Sequence, residues 1–532
     1  MKLSLTAICL ALLASPAAAQ TAPATPPAAQ QHNCSIFYGT PSDGDKALAK
    51  KDYDAALAFF RAAVAKDPTS NEAQLGLVRA LVGKDQTAEA IKTADAAIAK
   101  SPQSAVAQIA AGEAAFRDAN FNAARDHANA AVKADICEGR ALDLIASLYS
   151  ITANFASEAR LLAMAHKLRP NDELILRDWI DSLPRKQRQV ELNRYLASTN
   201  ALSTKDLEGY NAEVDHLKAR RPGECRITSK SDTAKVSFQP IYGGGGPMRP
   251  EAYGLDVAFN GKKRRMQIDT GASGILLSPA AAKRLGLEPE IHIHTGGIGD
   301  EGEVESYLSH VATIQIGDVQ FSDCMVEVLK KSKLDVDGLI GLDVFEHWLA
   351  TLDYPNTSLL LAPLPPRPGD TSAATGEPDD DETPHDAIVP PGMTDWTHFI
   401  RIGHDILLPA AINNSSTHFI IADTGSSSTT LSTAFAKAAG KLHEEPDIQM
   451  MGISGKVKTT YSVDNATLSF GSFRLPKESY LAIDMTNISH DESVEVSGLV
   501  GLPTLSRLTI TVDYRDNLIQ LKYDPKHDVQ RF

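Results

Sequence analysis

Two copies of the tripeptide Asp-Thr-Gly carry the side chains of this sequence that are best suited to catalysis. One copy occupies residues 269–271 after the apolar run MQI, and the other occupies residues 423–425 after FIIA. Two carboxyl groups held a few ångströms apart resist ionising together, so one keeps a proton while the other is charged. Such a pair provides a general acid and a general base from one residue type. Because each copy offers a single Asp, this chemistry needs both copies.

The two copies are parts of a longer internal repeat. Gly317 and Gly471, in TIQIGDVQF and TLSFGSFRL, have the same separation of 154 residues as the two aspartates. Further along, DGLIGL matches SGLVGL and TLDY matches TVDY at a separation of 160 residues. Duplication of one unit explains these matches. We therefore expect two related β-rich lobes.

Each copy resembles half of a retropepsin-like aspartic protease, and the two together resemble a bilobal, pepsin-like enzyme. The resemblance rests on the tripeptide, the apolar strand before it and the later apolar-apolar-Gly segment. It implies that Asp269 and Asp423 form a catalytic dyad that activates water to hydrolyse peptide bonds, with neither a metal nor another cofactor. It also implies supporting roles for residues beside the aspartates, namely Thr270, Gly271, Ser273, Thr424, Gly425 and Ser427.

One supporting contact stays open at this level. In the family a hydroxyl near the tripeptide bonds an Asp oxygen. The two copies differ directly after the tripeptide, where the first has Ala272 and the second has Ser426. Which serine makes the contact does not follow from the sequence.

Glycine-rich stretches follow each aspartate at a similar distance. They read HTGGIGDEGE and MMGISGKVK. Retropepsin-like halves carry a β-hairpin flap at this place, which closes over the substrate and excludes water. The resemblance therefore assigns flap or substrate-contact positions to Gly297, Gly299, Gly452 and Gly455. Simple hairpin turns are the alternative interpretation.

A shorter repeat precedes the two copies, between about residues 40 and 170. Small residues and helix-ending prolines recur on a 34-residue grid: Ala63, Ala97, Ala131 and Ala165, then Pro68, Pro102 and Pro170. Segments such as YDAALAFFRAAVAKDP have the apolar spacing of amphipathic helices. This pattern resembles the tetratricopeptide repeat (TPR), and a fortuitous Ala-rich bundle is the alternative. The resemblance implies an array that binds a peptide or a partner protein in its concave face.

Composition excludes several classes of protein. The 532 residues include 67 acidic and 52 basic side chains, and the formal net charge of -15 argues against a nucleic-acid partner. A charged fraction of 22% with a normal apolar fraction argues against a mostly disordered chain. After the first twenty residues no apolar run is long enough for a membrane span. No metal site is expected, because His292 and His294 lack a third ligand at a suitable spacing.

The first residues predict export. Lys2, a short apolar stretch and the small residues AAA have the order of a signal peptide over 1–19, so we expect a periplasmic or secreted protein. The mature chain would keep Cys34, Cys137, Cys225 and Cys324, which allow three disulfide pairings.

These patterns define a multidomain chain in which an all-α repeat array is followed by two all-β lobes. The expected segments are a signal peptide at 1–19, a disordered linker at 20–39, a TPR-like domain with capping helices at 40–222, lobe 1 at 227–362, a Pro-rich acidic linker at 363–395 and lobe 2 at 396–525. The expected function is that of an aspartic endopeptidase acting on peptides or proteins. The alternatives are a non-catalytic peptide-binding scaffold and a homodimeric protease that pairs lobes between chains.

Overall fold

A computed structural model describes residues 2–6, 31–200, 202–219, 225–229, 231–242, 250–300, 302–331, 334, 336–367, 384–523 and 525. Most of the predicted signal peptide, residues 20–30 of the first predicted linker and 368–383 of the second lie outside the described residues. The chain divides into two compact units. The first comprises Met1–Ala115, Asn122–Ser147 and Glu158–Ser182, and the second comprises Phe116–Phe121, Leu148–Ser157 and Leu183–Phe532.

The N-terminal region, up to Ala219, is helical as predicted. Its helices are α1 (Asp43–Ala49), α2 (Tyr53–Lys66), α3 (Asn71–Gly83), α4 (Thr87–Lys100), α5 (Ala105–Arg117), α6 (Phe121–Ala134), α7 (Gly139–Ser150), α8 (Phe155–Leu168), α9 (Glu173–Asp181), α10 (Arg185–Ser198) and α11 (Thr204–Ala219). The last two, expected as caps of the array, belong to the second compact unit. Before α1, strand β1 (Lys2–Thr6) pairs antiparallel with β2 (Gln31–Ser35).

The 34-residue period appears in packing and in the backbone. The grid alanines Ala97, Ala131 and Ala165 are buried to within 1% of complete burial, and a methyl group at such a position lets helices approach closely. The turns between paired helices share a left-handed residue every 34 positions, with φ between 54° and 57° at Lys51, Asp85, Ala119 and Ala153.

An ion pair and a disulfide link parts of the first unit that are distant in sequence. Arg79 on α3 and Glu113 on α5 are also 34 residues apart, and they form a bidentate pair with a shortest N···O distance of 2.6 Å. This ion pair therefore links equivalent positions of two successive repeats. A disulfide joins Cys34 to Cys137.

Lobe 1 is built from strands β3 to β14 in the second unit. They are β3 (Arg226–Ile227), β4 (Ala234–Ser237), β5 (Gln239–Ile241), β6 (Ala252–Phe259), β7 (Lys262–Ile268), β8 (Ile275–Leu277), β9 (Ile291–Thr295), β10 (Val304–Ile316), β11 (Val319–Leu329), β12 (Gly338–Ile340), β13 (Trp348–Asp353) and β14 (Ser358–Pro363), with helix α12 (Pro279–Leu285). The main sheet has the order β3-β11-β8-β12-β7-β6-β10-β9, and β10 also pairs with β11. A disulfide joins Cys225 to Cys324.

Lobe 2 repeats this plan. Its strands are β15 (Thr397–His398), β16 (Ile400–Ile402), β17 (Asp405–Ile412), β18 (His418–Ala422), β19 (Thr430–Ser432), β20 (His443–Glu444), β21 (Met451–Gly452), β22 (Gly455–Lys456), β23 (Tyr461–Phe470), β24 (Phe473–Ile483), β25 (Gly498–Val500), β26 (Leu508–Asp513) and β27 (Leu518–Tyr523). The helices are α13 (Thr433–Lys437), α14 (Thr486–Asp491) and α15 (Leu502–Leu505). Its main sheet has the order β16-β17-β18-β25-β19-β24-β23-β20.

A third sheet joins the two lobes, in the order β15-β27-β26-β13-β14-β4. Its central pair is β13 with β26, which carry the matching segments TLDY and TVDY. Thr351 lies directly opposite Thr511, its own equivalent 160 residues later, and their hydroxyl oxygens are 3.0 Å apart. Because equivalent residues pair with each other, a local twofold axis relates the lobes and passes between these threonines. The predicted fold class, a helical array followed by two β lobes, is confirmed.

Within the described part of the chain, no helix combines the length and the apolar character that crossing a bilayer would require.

Candidate active site

The two Asp-Thr-Gly loops begin at the ends of equivalent strands. Asp269 follows β7 and Asp423 follows β18, and each of these strands has a short parallel neighbour, β12 or β25. The Asp269 N–H donates to the Ile340 carbonyl at 3.0 Å, and the Asp423 N–H donates to the Val500 carbonyl at the same distance. The buried segments that the sequence showed as LIG and LVG therefore fix where each loop leaves its strand.

Two threonines lock the loops together. The Thr270 N–H donates to Thr424 Oγ1 at 3.1 Å, and the Thr424 N–H donates to Thr270 Oγ1 at 3.0 Å. Each hydroxyl then donates across the lobe boundary, Thr270 to the Ala422 carbonyl at 2.6 Å and Thr424 to the Ile268 carbonyl at 3.3 Å. Both threonines are at least 97% buried. The four bonds obey the same twofold relation as the lobes, so neither loop can shift without the other.

The tripeptide glycines allow the close approach of the loops. A Cβ atom on Gly425 would lie 2.2 Å from Asp269 Oδ2, and one on Gly271 would lie 3.0 Å from Asp423 Cγ. A Cβ contact of 2.2 Å does not occur in proteins, so Gly425 has no room for a side chain, and a contact of 3.0 Å is tight, so Gly271 has little. Each carboxyl group is thus packed against the opposite loop.

The two aspartates form a buried, hydrogen-bonded pair. Asp269 is 9% exposed and Asp423 is 7% exposed. Burial raises the pKa of both carboxyl groups, and the neighbouring Asp423 raises the pKa of Asp269 further. The hydrogen bond between them raises the pKa of Asp269 and lowers that of Asp423, as expected if Asp269 holds the shared proton.

Backbone donors make the two carboxyls unequal. Asp423 Oδ1 accepts from the Gly425 N–H at 2.8 Å and from the Ser426 N–H at 3.1 Å. Asp269 Oδ1 accepts from the Gly271 N–H at 3.0 Å. Backbone N–H groups stabilise an ionised carboxylate, so the charge is better supported on Asp423.

The serines around the loops lie in different environments. Ser273 and Ser427 are exposed, and the Ser273 hydroxyl lies 3.4 Å from Asp343 Oδ2. Ser426, absent from the predicted site, contacts Asp423 through its backbone and donates its hydroxyl to the Ser428 carbonyl at 2.9 Å. The Ala272/Ser426 difference drew attention to this position in the sequence, but the group that bonds Asp423 is a backbone N–H, which both residues have.

The two glycine-rich segments meet each other. The Ser454 N–H donates to the Ile298 carbonyl at 3.0 Å, and the Asp300 N–H donates to the Lys456 carbonyl at 3.2 Å. The Asp300 carboxylate accepts from the Lys458 N–H at 2.8 Å. The four predicted flap glycines lie at this contact or in its turns: Gly297 beside Ile453, Gly299 at φ 135° against Ser454, Gly452 against Ile298, and Gly455 at φ 90°.

Each segment also packs on the opposite lobe. Ile453 of lobe 2 packs against a buried cluster of lobe 1 that contains Leu276 and Leu339 and includes the loop residue Ala272. Ile298 of lobe 1 packs against a cluster of lobe 2 that contains Leu499. Each glycine-rich segment therefore crosses to the opposite lobe.

Further ionisable groups lie near the dyad, and the sequence did not predict them. Asp405, the first residue of β17, is 5% exposed, and its carboxyl is hydrogen-bonded to that of Glu492. Burial, and then the nearby Asp423, raise the pKa of Asp405 to about 7, while burial and Asp405 raise that of Glu492 to about 8. His404 Nε2 lies 3.7 Å from Asp405 Oδ1 and 3.1 Å from the Gly271 carbonyl. Only folding brings these residues together, so no motif marked them.

Family models confirm the resemblance. A model described as "gag-polyprotein putative aspartyl protease" matches residues 255–347, and one described as "Aspartyl protease" matches residues 408–504. A model described as "Tetratricopeptide repeat" matches residues 47–111. The two protease matches contain one Asp-Thr-Gly loop each.

Individual relatives share parts of the chain. It is 28% identical over 120 residues to DNA damage-inducible protein 1 of Neurospora crassa, covering 21% of this chain and 27% of that protein. It is 30% identical over 175 residues to UBA domain-containing protein Mud1 of Schizosaccharomyces pombe, covering 32% and 49%. The chain thus spans from about a quarter to about half the length of these relatives. Among solved structures, the aspartic proteinase from Irpex lacteus matches with a TM-score of 0.34 at 13% identity, covering 56% of this chain and 99% of that one.

Proposed function

Since this chain carries a tetratricopeptide-repeat segment and two aspartyl-protease domains, we propose that it is an aspartic endopeptidase whose dyad is Asp269 and Asp423. The observation that carries the proposal is the buried, hydrogen-bonded carboxyl pair, held by the four threonine bonds between lobes of one chain. A peptide bond is the substrate that such a pair is suited to hydrolyse with water.

The unequal donors assign a role to each aspartate. Asp423, which accepts two backbone N–H bonds, is the charged partner and takes a proton from the attacking water. Asp269, whose pKa is raised well above its usual range by burial and by Asp423, gives its proton to the oxygen of the scissile carbonyl. The resulting tetrahedral intermediate collapses when the proton on Asp423 passes to the leaving amine and the carbonyl oxygen returns its proton to Asp269.

The raised pKa values also set the expected pH range. A dyad works while it holds one proton, so its activity falls when the second proton is lost. Burial raises the pKa of both carboxyls, and the singly protonated form therefore persists to higher pH than two exposed aspartates would allow. We expect activity to extend from acidic pH toward neutrality.

The two alternatives fit the geometry less well. A binding scaffold has no use for two buried carboxyls that share a proton, because burying them without catalysis only lowers stability. A homodimer that pairs lobes between chains is unnecessary when the six-stranded sheet and the threonine bonds already join both lobes within one chain.

The repeat array and the cysteines suggest the setting of the reaction. We infer that the array binds a protein partner or presents substrates to the lobes, as repeat surfaces commonly do. We also infer an exported, periplasmic or secreted protein. Supporting this, the cysteines outside the predicted signal peptide are paired as Cys34–Cys137 and Cys225–Cys324, and such bonds persist in oxidising compartments.

The test is cleavage of a mixed peptide pool between acid and neutral pH by the wild type, Asp269→Asn and Asp423→Asn. Each substitution should abolish cleavage. Asp318→Asn is the matched control, because Asp318 is an exposed residue in the turn between β10 and β11. Cleavage that persists in both dyad variants would exclude the proposed mechanism. Activity in a separately expressed lobe that dimerises would favour the homodimeric alternative.

A further inference from the structure

The residue that follows the tripeptide bonds the carboxylate of its aspartate in lobe 2 but not in lobe 1. In lobe 2, Ser426 bonds both Asp423 through its N–H and the Ser428 carbonyl through its hydroxyl. The equivalent residue of lobe 1 is Ala272, which has no hydroxyl, and its N–H donates to the Asp269 backbone carbonyl at 3.2 Å. Different contacts therefore hold the two loops, and within lobe 1 the Asp343 carboxylate accepts from the Gly274 N–H at 2.9 Å, at the far end of the loop from Asp269.

A side chain from the opposite lobe contacts the loop of lobe 1. His404 lies in the turn between β16 and β17, and its Nε2 is 3.1 Å from the Gly271 carbonyl oxygen. A carbonyl oxygen only accepts, so Nε2 carries the hydrogen and donates it. The same peptide segment positions the dyad, since the Gly271 N–H donates to Asp269 Oδ1 at 3.0 Å.

The histidine is itself held by buried groups. Its Nε2 lies 3.7 Å from Oδ1 of Asp405, which is 5% exposed and hydrogen-bonded to Glu492. This distance is too long for a hydrogen bond, so the contact is electrostatic, and the carboxyl group attracts the N–H that donates to Gly271.

We propose that His404 is a positioning residue, which braces the Asp269 loop from lobe 2 and is held in place by the Asp405–Glu492 carboxyl pair. This inference rests on the proposed peptidase function. In this proposal the His404 side chain donates to a carbonyl of the lobe 1 loop, as the Ser426 hydroxyl donates to a carbonyl of the lobe 2 loop. The brace acts on Asp269 through Gly271, so its loss should misplace the acid of the dyad without removing a substrate contact.

The chain offers a matched control in Glu251. Asn260 and Asn413 occupy equivalent turns with left-handed φ, and each side chain accepts an N–H at 2.9 Å, from Thr313 and Thr467 respectively. His404 precedes Asn413 by nine residues, as Glu251 precedes Asn260. Glu251 is exposed and occupies in lobe 1 the position that His404 occupies in lobe 2. Its replacement therefore changes the equivalent position and leaves the contact between His404 and Gly271 intact.

The experiment compares full-length wild type, His404→Ala, His404→Gln and Glu251→Ala in steady-state peptide cleavage. His404→Ala should lower kcat by about ten- to a hundredfold with KM nearly unchanged, since small misplacements of a catalytic group have effects of this size. His404→Gln should recover most of the activity, because its side-chain amide can donate a hydrogen bond to the Gly271 carbonyl. Glu251→Ala should behave as wild type. Equal activity of His404→Ala and wild type, or no recovery by glutamine, would overturn the proposal.

A second measurement does not depend on activity. Hydrogen–deuterium exchange of the backbone amides should become faster in residues 269–274 of His404→Ala, and should stay unchanged in residues 423–428. Unchanged exchange in both loops would overturn the brace. If the wild type cleaves nothing but the exchange in 269–274 still rises, the proposed function fails while the positioning role of His404 stands.

Discussion

Replacing Asp405 with Asn should make the protein more stable at neutral pH while leaving its stability in acid nearly unchanged. The carboxyl group is 5% exposed and is surrounded by Glu492, Asp423, Asp343, His404 and the buried Tyr514. Burial and the Asp423 carboxyl raise its pKa from an ordinary value of 3.8 to about 7. The folded state thus holds the Asp405 proton more tightly than the unfolded chain does.

The sign and size follow from proton linkage. The Asp405 carboxyl has a higher pKa in the folded protein than in the unfolded chain, so its ionisation destabilises the folded state. This destabilisation is absent below pH ~4, grows as the pH rises, and is complete above pH ~7. A difference of about three pKa units, at 1.36 kcal/mol each, corresponds to about 4 kcal/mol. An asparagine has no charge to lose, so Asp405→Asn should abolish this pH dependence.

Urea unfolding between pH 4 and pH 8 measures the effect. The fluorescence of Trp348 and Trp396 reports on the two lobes, and a Trp179→Phe background removes the signal of the helical array. The free energy of unfolding of Asp405→Asn, minus that of the wild type, should increase by about 4 kcal/mol between pH 4 and pH 8. Asp318→Asn, an exposed control, should show no such change. A change below about 1 kcal/mol would refute the buried, protonated state of Asp405.

Three other outcomes follow from the geometry. Gly425→Ala should reduce kcat by more than about a hundredfold, because the added Cβ would lie 2.2 Å from Asp269. Gly271→Ala should reduce kcat by less, because its Cβ would lie 3.0 Å from Asp423. Similar rates for both variants would contradict this order. Asp300→Ala should raise KM in steady-state assays with little change in kcat, because it removes the hydrogen bond from the Lys458 N–H that joins the two predicted flaps. An unchanged KM would argue against a role of this bond in substrate binding. Replacing Cys225 and Cys324 by Ser should lower the free energy of unfolding by about 4–5 kcal/mol, as urea titration would show, because the bond closes a loop with a sequence separation of 99; equal midpoints would contradict it.

Features that recur along the chain could be predicted from the sequence. The 34-residue grid and the 154-residue separation express packing that is repeated in every copy, so the helical array and the two lobes followed directly. The Asp-Thr-Gly loops were found for the same reason. Glycines at matching distances from both aspartates also marked the two segments that contact each other in the structure.

Features that occur in one lobe only could not be predicted in this way. His404 and Asp405 have no counterparts of the same chemistry in lobe 1, where the position of His404 is occupied by the exposed Glu251. Their role depends on a turn of lobe 2 reaching a loop of lobe 1, which is a contact across more than 130 residues of sequence. Likewise, the left-handed turns of the array at Lys51 and Asp85 contain no glycine, so composition gave no sign of them.

The contrast between repeated and unique features explains how a duplicated site provides two unequal carboxyl groups. Symmetry alone would place two identical carboxyls at the axis and give neither a reason to hold the proton. The threonine bonds preserve that symmetry and fix the distance between the loops. The departures from it then make the carboxyls unequal. The Ser426 N–H is a second donor to the Asp423 carboxylate, whereas the Ala272 N–H bonds the Asp269 backbone carbonyl and leaves the Asp269 carboxylate with one backbone donor. On this argument, Ala272→Ser should not by itself equalise the dyad, because the second donor to Asp423 is a backbone N–H whose direction depends on the loop. The pH–activity profile of Ala272→Ser should therefore remain that of the wild type, and a shifted profile would show that the hydroxyl, and not the backbone, sets the asymmetry.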